Sequence, residues 1–227
     1  LAGGPHAQEG LCGSVQSAFW PDLSLVQLFT YIGVAVFAAS GALAAVRRAL
    51  DPVGVLVLAI VTATGGGTLR DVLMDRHPIF WISNPWYIGV SAGAALVTWL
   101  WVRKYPPPDK SLAYADALGL AFFSIAGAQI AEAGGLAPFA ATIMAAITGC
   151  AGGLVRDMLV AEVPLVLRRS ELYVTCCVAG VALYFCLKML GLGSDVASIA
   201  GMAAIALMRL VSIRWNIVLP VLRLPEQ

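Results

Sequence analysis

The stretch from Thr64 to Asp71 reads TGGGTLRD, and a close copy, CAGGLVRD, runs from Cys150 to Asp157. Each stretch ends a long apolar run, where consecutive glycines are followed by an arginine and an aspartate. Glycine weakens a helix, and charged side chains are costly beside lipid. Two copies of this pattern in the most apolar segments therefore predict a duplicated device.

The composition indicates an integral membrane protein. Of the 227 residues, 60% are hydrophobic and 12% are charged, and the mean hydropathy is +0.86. Soluble domains are nearer half apolar and a quarter charged. The net charge of +1, without a clustered basic face, predicts no nucleic-acid partner. The five cysteines lack ligand spacing, so we expect no zinc site, structural disulfide or cofactor.

Seven apolar runs are long enough to span a bilayer as helices, which satisfy every backbone amide within the segment. We therefore predict an all-α membrane protein with seven transmembrane helices. The predicted spans are Leu25–Ala45, Gly54–Leu73, Tyr87–Val102, Leu112–Ala131, Ala137–Val160, Leu172–Leu190 and Val196–Ile213.

The two glycine motifs belong to a longer internal repeat with a shift of 86 positions. Coincidence among alanines and glycines does not account for the other identities. These include Phe37/Phe123, Arg70/Arg156, Asp71/Asp157, Pro78/Pro164 and Tyr87/Tyr173. Because each copy holds three spans, the second copy enters the membrane from the opposite side. This predicts two inverted three-helix repeats, a working site near the midplane and a seventh helix outside the duplication.

Lysine and arginine collect in the odd-numbered connections and at the carboxyl-terminal end, which places these on the cytoplasmic side. The residues concerned are Arg47, Arg48, Arg103, Lys104, Lys110, Arg168, Arg169, Arg214 and Arg223. We predict a multi-pass protein of the inner (plasma) membrane, with its amino terminus outside and its carboxyl terminus in the cytoplasm. Residues 1–22 have no basic start followed by an apolar core, so we expect no cleavable signal peptide.

This topology divides the chain into six regions. They are an exterior tail (1–24), the first three-helix repeat (25–104), a proline-rich cytoplasmic linker (105–111), the second repeat (112–190), the seventh helix (191–215) and a cytoplasmic tail (216–227).

The glycine runs predict kinks or breaks in the second and fifth helices. A glycine in a helix interior costs up to about 1 kcal/mol relative to alanine. Carbonyls freed at a break must line a cavity or meet protein partners, and there they suit a cation. Nearby hydroxyls that could add ligands are Thr62, Thr64, Thr68 and Thr148. The alternative is that the glycines permit close helix packing; for the paired clusters we favour the break.

The Arg-Asp pairs predict two related constrictions. Neighbours on a helix point about 100° apart, so we expect Arg70 not to pair simply with Asp71, nor Arg156 with Asp157. A charge at membrane depth costs about 2.5–3.5 kcal/mol unless it pairs, snorkels or reaches water. The predicted topology puts the first pair near the outer mouth of a central cavity and the second near the inner mouth.

Snorkelling anchors at the helix ends are the alternative for these charges. Asp116, early in the fourth span, and Arg209, late in the seventh, share this ambiguity. We interpret Glu132 as a solvated loop residue.

At these residues the sequence resembles the bacterial branch of the trimeric intracellular cation (TRIC) channels, also known as UPF0126 or glycine-transporter-domain membrane proteins. The resemblance rests on GGGTLRD and AGGLVRD, on FAASGA with its partner FSIAGA, and on the seven spans in two repeats. It covers about residues 25–215.

The resemblance implies a homotrimer in membrane lipid. Each protomer would have its own hourglass pore, lined by kinked second and fifth helices and conducting K⁺ and Na⁺, with no metal beyond these transient ions. The positions that match the pore-forming motif are Gly65, Gly66, Gly67, Arg70, Asp71, Gly152, Gly153, Arg156 and Asp157. Ala151 stands where the first motif has Gly65, which predicts a milder second break.

Two functions stay open on the sequence. In a cation channel, Asp71 and Asp157 would concentrate cations and the arginines would limit passage. In a secondary transporter of a small zwitterion such as glycine, Arg70 or Arg156 would hold the carboxylate of the solute. A cavity with thin gates serves either use. The two histidines join no acid, base or nucleophile cluster, so we do not expect an enzyme.

Overall fold

The computed structural model describes residues 25–168 and 172–217, and helix is the regular secondary structure throughout these ranges. The predicted exterior tail (1–24), Arg169, Arg223 and most of the cytoplasmic tail lie outside the described residues. The seven long helices are α1 (Leu25–Arg47), α2 (Pro52–Leu73), α3 (Trp86–Lys104), α4 (Ser111–Ala133), α5 (Pro138–Leu159), α6 (Val174–Met189) and α7 (Ser194–Trp215). Two short turns, Phe80–Ser83 and the 3₁₀ turn Leu165–Leu167, follow α2 and α5.

Five of these helices, α1, α2, α4, α5 and α7, are long and apolar enough to cross a membrane. Helix α6, with 16 residues, is shorter. The prediction of an all-helical membrane protein is confirmed. That α3 and α6 also span the bilayer stays a prediction.

The starts of α2 and α5 follow ordinary helix chemistry. Each helix has a proline in its first turn, Pro52 in α2 and Pro138 in α5. Proline is suited to this place because a first-turn amide has no acceptor within its own helix. At α2 the carboxylate of Asp51 also accepts a hydrogen bond from the backbone amide of Gly54 at 2.7 Å. The two helices therefore begin where the sequence repeat places them.

The connections predicted to be cytoplasmic meet on one face of the bundle. Arg48, after α1, forms an ion pair of 2.7 Å with Glu162, after α5. Arg47 donates to the carbonyl of Asp109, in the proline-rich linker, at 2.7 Å. Lys110 in that linker donates to a carbonyl in the last turns of α7 at 2.6 Å. These contacts show that successive long helices run in alternating directions.

The opposite face holds the ends of α4 and α6, and there one expectation is wrong. Glu132 is not a solvated loop residue, because α4 extends past its predicted end and includes it. Its carboxylate accepts hydrogen bonds from Lys188 at 2.6 Å and from the hydroxyl of Tyr184 at 2.7 Å. The two added residues place the carboxylate beside α6, which supplies both partners.

Residues 86 positions apart make equivalent contacts. A Cβ added to Gly33 would lie 2.6 Å from the ring of Phe123, and one added to Gly119 would lie 2.7 Å from the ring of Phe37. The two rings pack with centroids 5.2 Å apart. The glycine of α1 contacts the phenylalanine of α4, and the glycine of α4 contacts the phenylalanine of α1. The contact therefore has a local pseudo-two-fold arrangement.

Candidate ion pathway

Helices α2 and α5 cross at their glycines. A Cβ on Gly66 would overlap the carbonyl oxygen of Thr148, and one on Gly152 would overlap the carbonyl oxygen of Thr62. At Gly65 the nearest such neighbour is the Cα of Gly152, at 3.6 Å. Contact is possible only because these residues lack side chains. Gly66 on α2 meets Thr148 on α5, whereas the earlier residue Thr62 meets the later residue Gly152. The two helices therefore cross in an antiparallel direction.

The predicted breaks at these glycines are wrong. Both α2 and α5 run as uninterrupted α-helices through their glycine runs, including Gly67 and Gly153. The milder break expected at Ala151 is absent as well. The gain from bringing two helix backbones into contact outweighs the weak helix preference of glycine, which is about 1 kcal/mol per residue. Close packing is therefore the role of the paired clusters here, and a bend without a break stays a prediction.

The four threonine hydroxyls donate to carbonyls of their own helices. The acceptors are one turn earlier: Thr62 to Leu58 at 2.6 Å, Thr64 to Ile60 at 2.8 Å, Thr68 to Thr64 at 2.8 Å and Thr148 to Met144 at 2.6 Å. The hydroxyl of Thr68 also accepts from the indole of Trp81 at 3.0 Å. Each oxygen keeps its acceptor character, but none donates its proton across the crossing.

In the first Arg-Asp pair, the arginine forms an ion pair with the aspartate that follows it in the sequence. Arg70 Nε donates to Asp71 Oδ1 at 2.9 Å, and its Nη2 lies 2.7 Å from the same oxygen. Asp71 Oδ2 accepts from the backbone amide of Phe80 at 2.9 Å. The guanidinium lies over the Phe80 ring, 5.6 Å from its centroid. Arg76, half exposed, approaches Asp71 Oδ1 at 3.7 Å.

The second pair has the same core. Arg156 Nε donates to Asp157 Oδ1 at 2.8 Å, and Asp157 Oδ2 accepts from the backbone amide of Leu165 at 2.7 Å. The expectation that sequence neighbours do not pair is therefore wrong at both sites. The backbone amide of the following turn fixes the carboxylate, and the long arginine side chain folds back to reach it.

Arg156 has further partners that Arg70 lacks. Its Nη1 donates to Asp116 Oδ1 at 2.8 Å and to the hydroxyl of Ser40. Asp116 Oδ2 accepts from the hydroxyl of Tyr173 at 2.6 Å. Four helices thus contribute to this cluster, since Ser40 is on α1, Asp116 on α4, Arg156 on α5, and Tyr173 caps α6.

These charges are not snorkelling anchors. Arg70 is 1% exposed, and Arg156, Asp116 and Arg209 are each 0% exposed. A snorkelling side chain keeps its charged end in water or among headgroups, whereas these are enclosed by protein and hydrogen-bonded.

The two pairs lie on opposite sides of the helix crossing. Arg70 follows Gly66 by four residues, and Arg156 follows Gly152 by four. At a rise of 1.5 Å per residue each arginine lies about 6 Å beyond the crossing along its own helix. Because the helices are antiparallel, these displacements have opposite directions. The arrangement is a closed central contact flanked by two buried ion pairs.

Sequence reasoning missed three members of these clusters: Ser40, Phe80 and Tyr173. Tyr173 was visible only as a repeat identity with Tyr87, and Ser40 only as a small residue in FAASGA. Nothing in the sequence marked Phe80 as the ring beneath Arg70.

The family model described as "Glycine transporter" matches the chain twice, at residues 27–103 and 113–189. The two matches are displaced by 86 positions, as is the sequence repeat. A UPF0126 membrane protein of Vibrio cholerae is 42% identical over 210 residues, covering 90% of this chain and 86% of the relative. This chain belongs to the UPF0126 family.

Further UPF0126 relatives and solved structures agree. The inner membrane protein YadS of Escherichia coli K12 is 39% identical over 207 residues, covering 89% of this chain and 98% of YadS. A TRIC trimeric intracellular cation channel orthologue from Rhodobacter sphaeroides superposes with a TM-score of 0.82 at 34% identity, covering 86% of this chain and 100% of the other. A second TRIC cation channel gives a TM-score of 0.78 at 36% identity, covering 88% and 98%.

The resemblance to the TRIC family is therefore confirmed. This UPF0126 protein is a multi-pass membrane protein whose structural neighbours are cation channels, not enzymes.

Proposed function

We propose that this protein is a channel for the monovalent cations K⁺ and Na⁺. It works as a homotrimer in which each protomer has its own hourglass pathway between α2 and α5. The observation that carries the proposal is the antiparallel glycine crossing of these helices, with a buried Arg-Asp pair on each side of it. The likeness to TRIC cation channels supports the same reading.

The pathway is closed in the state described. At Gly66 and Gly152 the neighbouring backbone leaves no room for a Cβ, and hence none for an ion. Conduction requires α2 and α5 to separate there. Separation exposes the carbonyls of Thr62 and Thr148 at the crossing, and carbonyl oxygens are suitable ligands for a dehydrated K⁺.

The Arg-Asp pairs act as two gates in series. In the closed state each arginine occupies the carboxylate beside it, so the carboxylate is not available to a permeating cation. Movement of Arg70 or Arg156 away from Asp71 or Asp157 leaves a buried negative charge, which attracts a cation into the opened pathway.

The membrane placement follows the charge distribution. Seven long helices span the inner membrane as two inverted repeats plus α7, surrounded by lipid. The face that carries Arg47, Arg48 and Lys110 is cytoplasmic, because short cytoplasmic loops retain positive charge. This puts the first Arg-Asp pair toward the exterior and the second toward the cytoplasm. YadS, a relative, is described as an inner membrane protein.

A second candidate is a secondary transporter of a small zwitterion. The family description "Glycine transporter" favours it. In that case an arginine released from its aspartate holds the carboxylate of the solute. The same two gates then open alternately and never together.

The deciding experiment compares current with uptake. Purified protein is placed in planar bilayers with KCl on both sides, and in liposomes with labelled glycine. The channel proposal expects discrete K⁺ current steps and no glycine accumulation. Saturable glycine uptake without current steps contradicts it and supports the transporter.

The two gates provide an internal control. Arg70→Ala and Arg156→Ala remove corresponding groups on opposite sides of the crossing, so each is expected to alter the current-voltage relation in the opposite sense. The measurement uses channels inserted in one orientation. If both variants conduct as the wild type and only their yield falls, the arginines are structural and do not gate.

A further inference from the structure

The second Arg-Asp cluster is connected to α7, the helix outside the duplication. The guanidinium of Arg209, on α7, lies over the ring of Tyr173 at 4.5 Å from its centroid. Arg209 Nη1 also donates to the carbonyl of Leu172, the residue before that tyrosine, at 3.2 Å. The hydroxyl of Tyr173 in turn donates to Asp116, which holds Arg156. Tyr173 thus contacts α7 with its ring and the second Arg-Asp cluster with its hydroxyl.

All four side chains in this chain of contacts are enclosed by the protein. Tyr173 is 3% exposed, while Asp116, Arg156 and Arg209 are 0% exposed. Both oxygens of Asp116 are occupied, one by the tyrosine hydroxyl and one by the guanidinium of Arg156. In such surroundings a lost hydrogen bond is not replaced by bulk water, so the position of one member constrains the next.

The matching site in the first copy has a different connection, because the ring of Tyr87 packs against Phe80, the ring beneath Arg70, with centroids 5.0 Å apart. Tyr87 corresponds to Tyr173, but its ring stacks on Tyr31 with centroids 4.5 Å apart. The position that corresponds to Asp116 is Thr30, whose hydroxyl donates to its own helix at the carbonyl of Val26, at 2.7 Å. The first gate therefore lacks a second carboxylate, the counterpart of Asp116, to which a tyrosine hydroxyl could donate.

We propose that Tyr173 is a positioning residue through which α7 controls the release of Arg156 from Asp116. This inference rests on the proposed channel function. While α7 keeps Arg209 over the ring, the hydroxyl stays on Asp116 and the carboxylate stays on Arg156. A displacement of α7 weakens this hold, and the second gate opens more readily. The coupling is reciprocal, so opening the gate also loosens α7.

The test is Tyr173→Phe, which removes the hydroxyl and retains the ring beneath Arg209. The readout is single-channel open probability in planar bilayers, together with the thermal midpoint of the purified protein. We expect the open-to-closed ratio to rise by about tenfold, which corresponds to one lost bond to a charged group. The matched control is Tyr87→Phe, for which we expect an unchanged ratio.

A double-mutant cycle shows whether the hydroxyl acts through the carboxylate. Asp116→Ala removes the carboxylate that accepts from Tyr173, so adding Tyr173→Phe to it is expected to change the open probability no further. If the two effects instead add, the tyrosine acts elsewhere and the proposal is overturned. Arg209→Lys gives an independent arm if Tyr173→Phe does not fold. Loss of the planar guanidinium is expected to raise the open probability in the same direction.

The possible failures are distinguishable. A wild-type protein without K⁺ current overturns the channel function and this inference with it. A conducting wild type whose open probability is unchanged by Tyr173→Phe overturns this inference alone, even if the thermal midpoint falls, because a midpoint change without a gating change is a structural role.

Discussion

The two Arg-Asp pairs arise from the same sequence motif but have different surroundings. At Arg70 there is one carboxylate, an aromatic ring and a half-exposed second arginine, Arg76. At Arg156 there are two carboxylates, a serine and, beyond them, a tyrosine. The motif places each arginine, whereas helices from elsewhere in the chain decide what it meets. The duplication is thus retained at the helix crossing and within the Arg-Asp pairs, and it is lost in the groups that surround each pair.

The difference extends to the loops after each motif. The loop after the first pair contains Arg76. At the corresponding position, the loop after the second pair contains Glu162. Arg76 approaches the buried Asp71, while Glu162 turns to Arg48 and Arg168 at the surface. Each loop charge is opposite in sign to its partners, so the reversal preserves pairing at both sites.

The largest predicted effect separates the two arginines. Arg156→Ala leaves Asp116 and Asp157 as buried carboxylates without their cation, which is expected to cost roughly 3–5 kcal/mol of stability. Arg70→Ala leaves one carboxylate with Arg76 near it, so its cost is expected to be smaller. Unfolding of both variants in the same detergent measures the difference. Equal losses would mean that the extra contacts of Arg156 contribute nothing.

The next effect tests the part of the duplication that is retained. Gly66→Ala and Gly152→Ala each insert a methyl group against a carbonyl of the partner helix, and each is expected to cost about 1–3 kcal/mol. The matched control is Gly93→Ala on α3, where no atom lies within 4 Å of an added Cβ. Thermal midpoints measure all three. A control that is as damaging as the crossing variants would show a general intolerance of alanine.

The smallest effect concerns the loop after the second pair. Hydrogen bonding to Arg168, together with the charge of Arg48, lowers the pKa of Glu162 below its ordinary value. A carboxyl with a lowered pKa contributes stability that is present above its unfolded-state pKa and is lost as the pH falls through the folded-state pKa. Since these groups are partly exposed, the contribution is expected to be under about 1 kcal/mol.

The measurement for this loop is the difference in unfolding free energy between wild type and Glu162→Gln from neutral to acidic pH. The gap is expected to close as the carboxyl becomes protonated. Gly93→Ala on α3 is the control, since it changes no titratable group and an added Cβ there meets no atom within 4 Å. A gap for Glu162→Gln that persists at the acid end would mean that shape and not charge explains the effect of the substitution.

Much of the architecture was readable from the order of residues. Apolar run lengths place the seven long helices within a few residues of their observed bounds, because helix is the structure that satisfies its own backbone within a single segment. The spacing between the glycine motifs predicts which residues correspond, Gly33 with Gly119 and Phe37 with Phe123. The contacts of Gly33 with Phe123 and of Gly119 with Phe37 follow that correspondence.

The site was read less well, for physical reasons. The low helix propensity of glycine predicted breaks at positions where α2 and α5 are continuous. Helix propensity describes only interactions within one helix, whereas the glycines here form a contact between two helices. The expectation that adjacent helical residues do not pair failed at Arg70 and Arg156. It assumes that side chains extend straight out from the helix, whereas these long arginine side chains fold back. Glu132 was misplaced by the predicted end of α4, and helix ends are the least certain feature of a sequence-based reading.

The sequence by itself determined the class of protein, the long apolar helices, the duplication and the two motifs that matter most. These follow from composition, run length and spacing, which are properties of the chain alone. Only the tertiary structure decided that the glycines bring helices together instead of interrupting them, and that Asp116 and Tyr173 join one arginine and not the other. Those outcomes depend on residues distant in sequence, whose burial forces each polar group to find a partner in space.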